Sequence, residues 1–243
     1  MRRAAAILIP LIVAACSAAQ SSEASEAKDV DMTAVSRDFD LAGFEQVRLM
    51  GSDDVRIVEG ETFAISATGP RHVIDRLDLK VEGDTLIVTR ERRDGWNWSS
   101  MKGHAVVTVT MPRLTGAMLD GSGDLTAAAT ATDRFEGRLA GSGDLDIADV
   151  RAAETKLSLA GSGDVRARGK TGTAEFKLAG SGDIAAGDLI AETVSVSLAG
   201  SGDVAAHATG KATVSLAGSG DVTIAGTKDC ESRKLGSGTV RCV

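Results

Sequence analysis

Apolar and polar residues alternate along much of this chain. In Thr193-Val194-Ser195-Val196-Ser197-Leu198 the valines and the leucine fall on one side, the hydroxyls on the other. Lys156-Leu157-Ser158-Leu159 and Glu175-Phe176-Lys177-Leu178 repeat the pattern, and Leu145 with Ile147 and Val222 with Ile224 share a face in the same way. A period of two with one apolar face predicts half-buried β-strands. The 3.6-residue period of a helix is absent from this half of the chain.

Between these strands one hexamer recurs. Leu-Ala-Gly-Ser-Gly-Asp begins at Leu139, Leu159, Leu178, Leu198 and Leu216; Leu119-Asp120-Gly121-Ser122-Gly123-Asp124 opens the series and Leu235-Gly236-Ser237-Gly238-Thr239 closes it. Glycine on both sides of a serine allows positive φ at little steric cost, and Ser and Asp side chains accept hydrogen bonds from nearby amides in turns. The hexamer is therefore a tight corner. Its spacing of about 18 to 20 residues is the period of a solenoid, in which each repeat is one coil laid on the last. The predicted class is all-β, a parallel solenoid.

Stacking at about 4.8 Å per rung sets like residues above like. An inward ladder is expected from Leu139, Leu159, Leu178, Leu198, Leu216 and Leu235, and a serine column from Ser122, Ser142, Ser162, Ser181, Ser201, Ser219 and Ser237. A third column is aspartate: Asp124, Asp144, Asp164, Asp183, Asp203 and Asp221. Carboxylates near 5 Å repel by about 1 kcal/mol in water. Two readings answer that repulsion: calcium held by the column, since calcium takes six to eight oxygens, or each Asp accepting backbone amides at its corner and needing no ion.

The repeat fades toward the N-terminus. Gln46 to Val55, with Gly51-Ser52-Asp53-Asp54, reads as a decayed corner, and Val55 to Ile57, Phe63 to Ala67, Leu77 to Val81, Leu86 to Val88 and Ala105 to Val109 read as strands. His72 to Asp78 reads as a brief helical turn. Residues 39–115 are expected to form irregular coils that cap the regular stack of residues 116–243, because an open solenoid end exposes unpaired strand edges. Arg90 to Gly103 interrupts two strands and holds Arg92, Arg93, Trp96 and Trp98. Exposed aromatics beside arginine are common binding anchors; the same loop could instead fold over the coil end and plug its core.

The first residues read as an export signal rather than fold. Arg2-Arg3 precedes an apolar run, Ala4 to Ala15, too short for a stable membrane span. It ends Val13-Ala14-Ala15-Cys16, which resembles a bacterial lipoprotein signal of residues 1–15 with Cys16 as the lipidated residue. Ser17 in the next position implies sorting to the outer membrane. Residues 16–38 are Ser, Ala, Glu and Asp with few apolar side chains and read as a tether. At the other end Cys230 and Cys242 fit a disulfide of an oxidising compartment, closing a loop of about 13 residues in the last coil for up to about 3 kcal/mol.

Composition narrows the function. With 34 acidic against 27 basic residues the net charge is −7, which argues against nucleic acid as partner. Ala140-Gly141-Ser142-Gly143 lacks the glycine two residues before the serine that a nucleophile elbow needs. Neither a phosphate loop nor a His/Cys zinc spacing is present. Stacked carboxylates can serve glycosidases, but these repeat identically, whereas a catalytic site breaks a repeat. No catalytic residues and no cofactor are expected, calcium being the one ion the Asp column admits.

The order of Phe44, Val47 and Leu49, Val55-Arg56-Ile57, Leu77 to Val88, Val107 to Leu114 and then the Gly-Ser-Gly-Asp repeats resembles the head GIN domain family (DUF2807), also called the putative auto-transporter adhesin head domain, across residues 39–240. The resemblance implies a right-handed parallel β-helix-like fold in a bacterial envelope protein, with no assigned catalytic residues. The expected function is a non-enzymatic, lipid-anchored envelope protein. Its solenoid would be a binding or adhesin-like surface for a glycan or an envelope protein. Two alternatives are a structural or stress-associated lipoprotein facing the periplasm and a polysaccharide-active enzyme.

Overall fold

The computed structural model describes residues 33–91 and 103–243. Nearly all of it is β, and stacked parallel strands form a solenoid of about 6 turns.

The regular stack follows chain order. It begins with β8 (Gly116–Gly121), the corner at Ser122-Gly123-Asp124 and β9 (Leu125–Ala127). Four long strands follow: β10 (Thr130–Gly141), which runs into the next corner, and β11 (Leu145–Gly161), β12 (Val165–Gly180) and β13 (Ile184–Gly200), each running from one corner to the next. β14 (Val204–Gly218) and β15 (Val222–Ala225) carry the stack on, and β16 (Cys230–Leu235) and β17 (Val240–Cys242) form the last rung. Neighbouring coils pair in parallel with Leu139 opposite Leu159, Leu159 opposite Leu178, Leu178 opposite Leu198 and Leu198 opposite Leu216. The alternation decides what is inside. These leucines are all but fully buried, as are Phe135, Leu157, Phe176, Val196 and Val214, while the intervening Ser, Thr, Lys and Glu face out. Buried hydroxyls find partners: Thr155 Oγ1 donates to Thr171 Oγ1 at 2.9 Å.

Glycine is obligatory at the corners because rungs touch there. A Cβ on Gly163 would lie 1.9 Å from the Gly143 carbonyl oxygen, and one on Gly161, where φ is +142°, 2.0 Å from that of Gly141. The Gly141 carbonyl takes a forked pair of bonds from the next rung, from Ser162 N–H at 3.0 Å and Gly163 N–H at 3.3 Å.

That corner register corrects one expectation. Leu235 is not the last member of the inward ladder: Lys234 stands opposite Leu216, Leu235 stands opposite Ala217 and Leu235 is 78% exposed. Gly236 stacks on Gly218, which fixes the rung. The last repeat lacks the alanine between Leu and Gly, so its leucine moves by one position, and a one-residue slip turns a strand residue to the other face.

The N-terminal part departs from chain order. β2 (Gln46–Gly51) and β3 (Asp54–Glu59) form a rung directly beneath β8 and β9, with Leu49 opposite Leu119 and Val55 opposite Leu125. Beneath them lies a rung that comes later in sequence, β6 (Thr85–Arg90) and β7 (Val106–Met111). Antiparallel strands then close that end. β5 (Leu77–Glu82) pairs with β6, and β4 (Ala64–Pro70) pairs with β7 and with β1 (Ala34–Phe39). Among the described residues strand structure therefore starts at Ala34, ahead of residue 39. The expected helical turn is α1 (Arg71–Ile74), which buries Val73 and Ile74.

Candidate binding face

Each coil presents an outward face on the strand that leads into its corner. Read along β10 to β14, this face carries Arg134, Glu136 and Arg138, then Glu154, Lys156 and Ser158, then Thr173, Glu175 and Lys177, then Thr193, Ser195 and Ser197, then Lys211, Thr213 and Ser215. The alanines 140, 160, 179, 199 and 217 form its edge beside the corner. The charges pair with one another along the ladder. Arg134 meets Glu154 at 2.5 Å, Glu175 meets both Lys177 at 2.5 Å and Lys156 at 3.4 Å, and Lys211 meets Glu231 at 2.9 Å. The hydrogen bond from Lys177 holds the Glu175 carboxyl below its ordinary range, opposed by burial and aided by Lys156.

The face is hollow in three places. A groove of about 520 Å³ is lined by Arg134, Glu136, Glu154, Lys156, Thr173 and Glu175. A second, about 370 Å³, lies among Ser158, Ala160, Lys177, Ala179, Ser197 and Ala199. A third, about 560 Å³, lies over Thr213, Ser215, Glu231, Ser232 and Arg233. The alternation marked these residues as outward. The stacking of these faces follows from the repeat; where the strip is hollow was not readable, because it depends on how side chains of neighbouring rungs pack.

The Asp column runs beside this face, past the corner. Every member ties its rung to the next. Asp124 Oδ1 accepts the Asp144 amide at 3.0 Å, Asp144 that of Asp164 at 3.1 Å, Asp164 that of Asp183 at 3.2 Å, Asp183 that of Asp203 at 2.8 Å and Asp203 that of Asp221 at 2.7 Å. Asp54 begins the series under Asp124, and Thr239 ends it over Asp221. The bonds thus run between rungs, not within one corner. Among the described residues no group of three or more His, Cys, Asp or Glu side chains could hold a metal ion. Repulsion is further relieved at Asp144 and Asp164, whose Oδ2 atoms share Arg166 at 3.0 and 2.8 Å. The hydrogen bond to Asp144 in turn holds the Arg166 guanidinium above its ordinary range.

One charged site was missed in the sequence. Asp53 stands where later corners have glycine, and it is 2% exposed. Its Oδ1 accepts the Ala105 amide at 2.7 Å, Arg90 Nε donates to its Oδ2 at 2.6 Å, and a second Arg90 nitrogen reaches its Oδ1. Arg90 also donates to the Gly103 carbonyl at 3.1 Å, so this cluster joins the two roots of the segment between β6 and β7. A polar residue replacing a corner glycine was the one signal for it.

Cys230 and Cys242 are joined by a disulfide, with their Cα atoms 6.4 Å apart, between β16 and β17. Cys16, and the loop residues Arg92, Arg93, Trp96 and Trp98, lie outside the described residues.

Solved structures share this architecture. The chain is similar to a crystal structure from Bacteroides fragilis described as a "putative adhesin", with a TM-score of 0.80 and 24% identity over 87% of this chain and 97% of that one. A Parabacteroides distasonis structure described as a "putative lipid binding protein" matches with a TM-score of 0.70 and 22% identity over 86% and 96%. A Parabacteroides merdae structure described as a "putative adhesin" matches at 0.68 and 16% over 86% and 96%. At these identities the likeness is one of fold. No curated protein matches the chain. The family model described as "Putative auto-transporter adhesin, head GIN domain" matches residues 43–227, from the rung below β8 to just past β15. The chain belongs to the head GIN domain family.

Proposed function

We propose that this protein is a lipid-anchored component of the bacterial cell envelope, held through Cys16 and sorted to the outer membrane. It works by binding rather than catalysis, and its binding surface is the pre-corner face. The observation that carries this reading is the alignment of three grooves along one face of a rigid stack. An extended ligand laid along the axis, a glycan or an envelope protein, would meet charged side chains on β10 to β12 and the hydroxyls of Thr193, Ser195, Ser197, Thr213 and Ser215 on β13 and β14, with rungs about 4.8 Å apart. Solenoids commonly bind along such extended surfaces. The family's adhesin-like character supports an envelope or cell-surface setting.

Protease treatment of intact cells, with lysed cells as control, tests the orientation. Cutting on intact cells is the expected result for an outward-facing adhesin; cutting only after lysis overturns it and moves the partner to the periplasm. Cys16→Ser tests the anchor, and is expected to shift the protein from the membrane to the soluble fraction. Ser197→Arg fills the central groove with a long charged side chain and is expected to abolish binding without changing the melting temperature.

A further inference from the structure

We propose that the Cys230–Cys242 disulfide is the latch of a removable C-terminal cap, and that its reduction opens the last rung alone. The rung is unlike every other. β16 lies on β14 and β17 on β15, so its backbone continues the ladder. Its inward positions do not continue the core. Ser232 stands opposite Val214 and Lys234 opposite Leu216, and both are exposed. The apolar contribution of the cap strands is limited to half-buried Cys230, Val240 and Cys242. Two of those three are the disulfide itself. What the cap covers is the full core pattern: Val214 and Leu216 at 1% exposure, Val222 and Ile224 at 0%.

Among the described residues this rung has one neighbour instead of two, and it buries little. It is drawn from the low-stability end of the molecule, and the cross-link supplies what packing does not. Both cysteines are half-buried, so a small dithiol can reach the bond. A thiolate of the dithiol attacks one Sγ, the Sγ–Sγ bond breaks, and the dithiol's second thiolate resolves the mixed disulfide. The reagent ends as a cyclic disulfide, oxidised by two electrons, and its two protons end on the Cys230 and Cys242 thiols. Opening then bares the edges of β14 and β15 and the apolar end of the core. Lys234, exposed at the register position opposite Leu216, keeps the closed end polar; the open end has no such guard.

Hydrogen exchange of the full chain, oxidised and after a small dithiol, tests this residue by residue. The expected result is exchange about tenfold faster or more in β16 and β17 and along the newly free edges of β14 and β15, with β11 and β12 unchanged. A Cys230→Ser, Cys242→Ser double variant is expected to show the same profile without the dithiol. Unchanged protection in the last rung, or acceleration through the whole stack together, overturns the proposal.

Discussion

The corner at Asp53 and the corner at Gly163 have the same backbone role and opposite requirements. Over Gly143 there is no room for a Cβ, since the carbonyl below would sit 1.9 Å away. Below Asp53 stand Arg90, at the end of β6, and Ala105, just before β7. The Asp53 side chain is buried below its own corner, where it binds Arg90 and the Ala105 amide. A repeat is thus constrained by what lies beneath it. The same comparison holds for the two ends. The N-terminal end is closed by chain folding back antiparallel, with Val73, Ile74 and Leu77 buried. The C-terminal end is closed by polar side chains and a covalent bond.

The largest effect that would sharpen this contrast is Gly163→Ala. It is expected to cost about 4 kcal/mol or more in denaturant unfolding, because two backbones must separate. Gly51→Ala, at φ +136° but with nothing within 4 Å of the new Cβ, should cost only the strain of positive φ, about 1–2 kcal/mol. Equal losses would show that rung contact is not what demands glycine.

Next comes Asp53→Gly, which installs the residue that later corners use. A view of the chain as a simple repeat anticipates stabilisation. The buried ion pair anticipates a loss of about 3 kcal/mol, because Arg90 keeps its charge and loses its partner. A gain in midpoint would refute the second view.

Smaller still is Asp183→Ala. It removes one acceptor for the Asp203 amide in an exposed column, and about 1 kcal/mol is expected. Adding calcium or EDTA to the parent protein should leave its melting temperature unmoved; a calcium-dependent rise would instead assign the column an ion.

The smallest effect is that of pH on the ladder charges. The Glu175 carboxyl lies below its ordinary value of 4.5, so its contribution is fully present above that value and is lost as pH falls through the lower folded value. Glu175→Gln should therefore differ from the parent at neutral pH and converge with it in acid below about 4.5. The side chain is exposed, so the difference stays under about 1 kcal/mol.

Much of the fold was legible because a period of two and a period of 18 to 20 residues say the same thing at two scales. Val194, Val196 and Leu198 marked the inside of a strand, and the recurring Gly-Ser-Gly marked where each coil turns. The decayed corner at Gly51-Ser52-Asp53-Asp54 was also recognisable, and it sits in the stack. Leu235 shows the limit. Chemistry placed it with the leucines, but register is counted from the corner glycines, and one missing residue put Lys234 in its place. Arg90 and Asp53 show another. They are 37 residues apart, and no local pattern pairs them.

Local alternation and turn chemistry, which act over a few residues, were enough to determine strands, corners and the columns of like side chains. The tertiary structure alone decided that β6 and β7 lie beneath β2 and β3, that the Asp oxygens bridge between rungs, and where the outward strip is hollow. Those outcomes depend on which coil meets which, and contact between distant coils follows from burial of the whole core rather than from any segment of it.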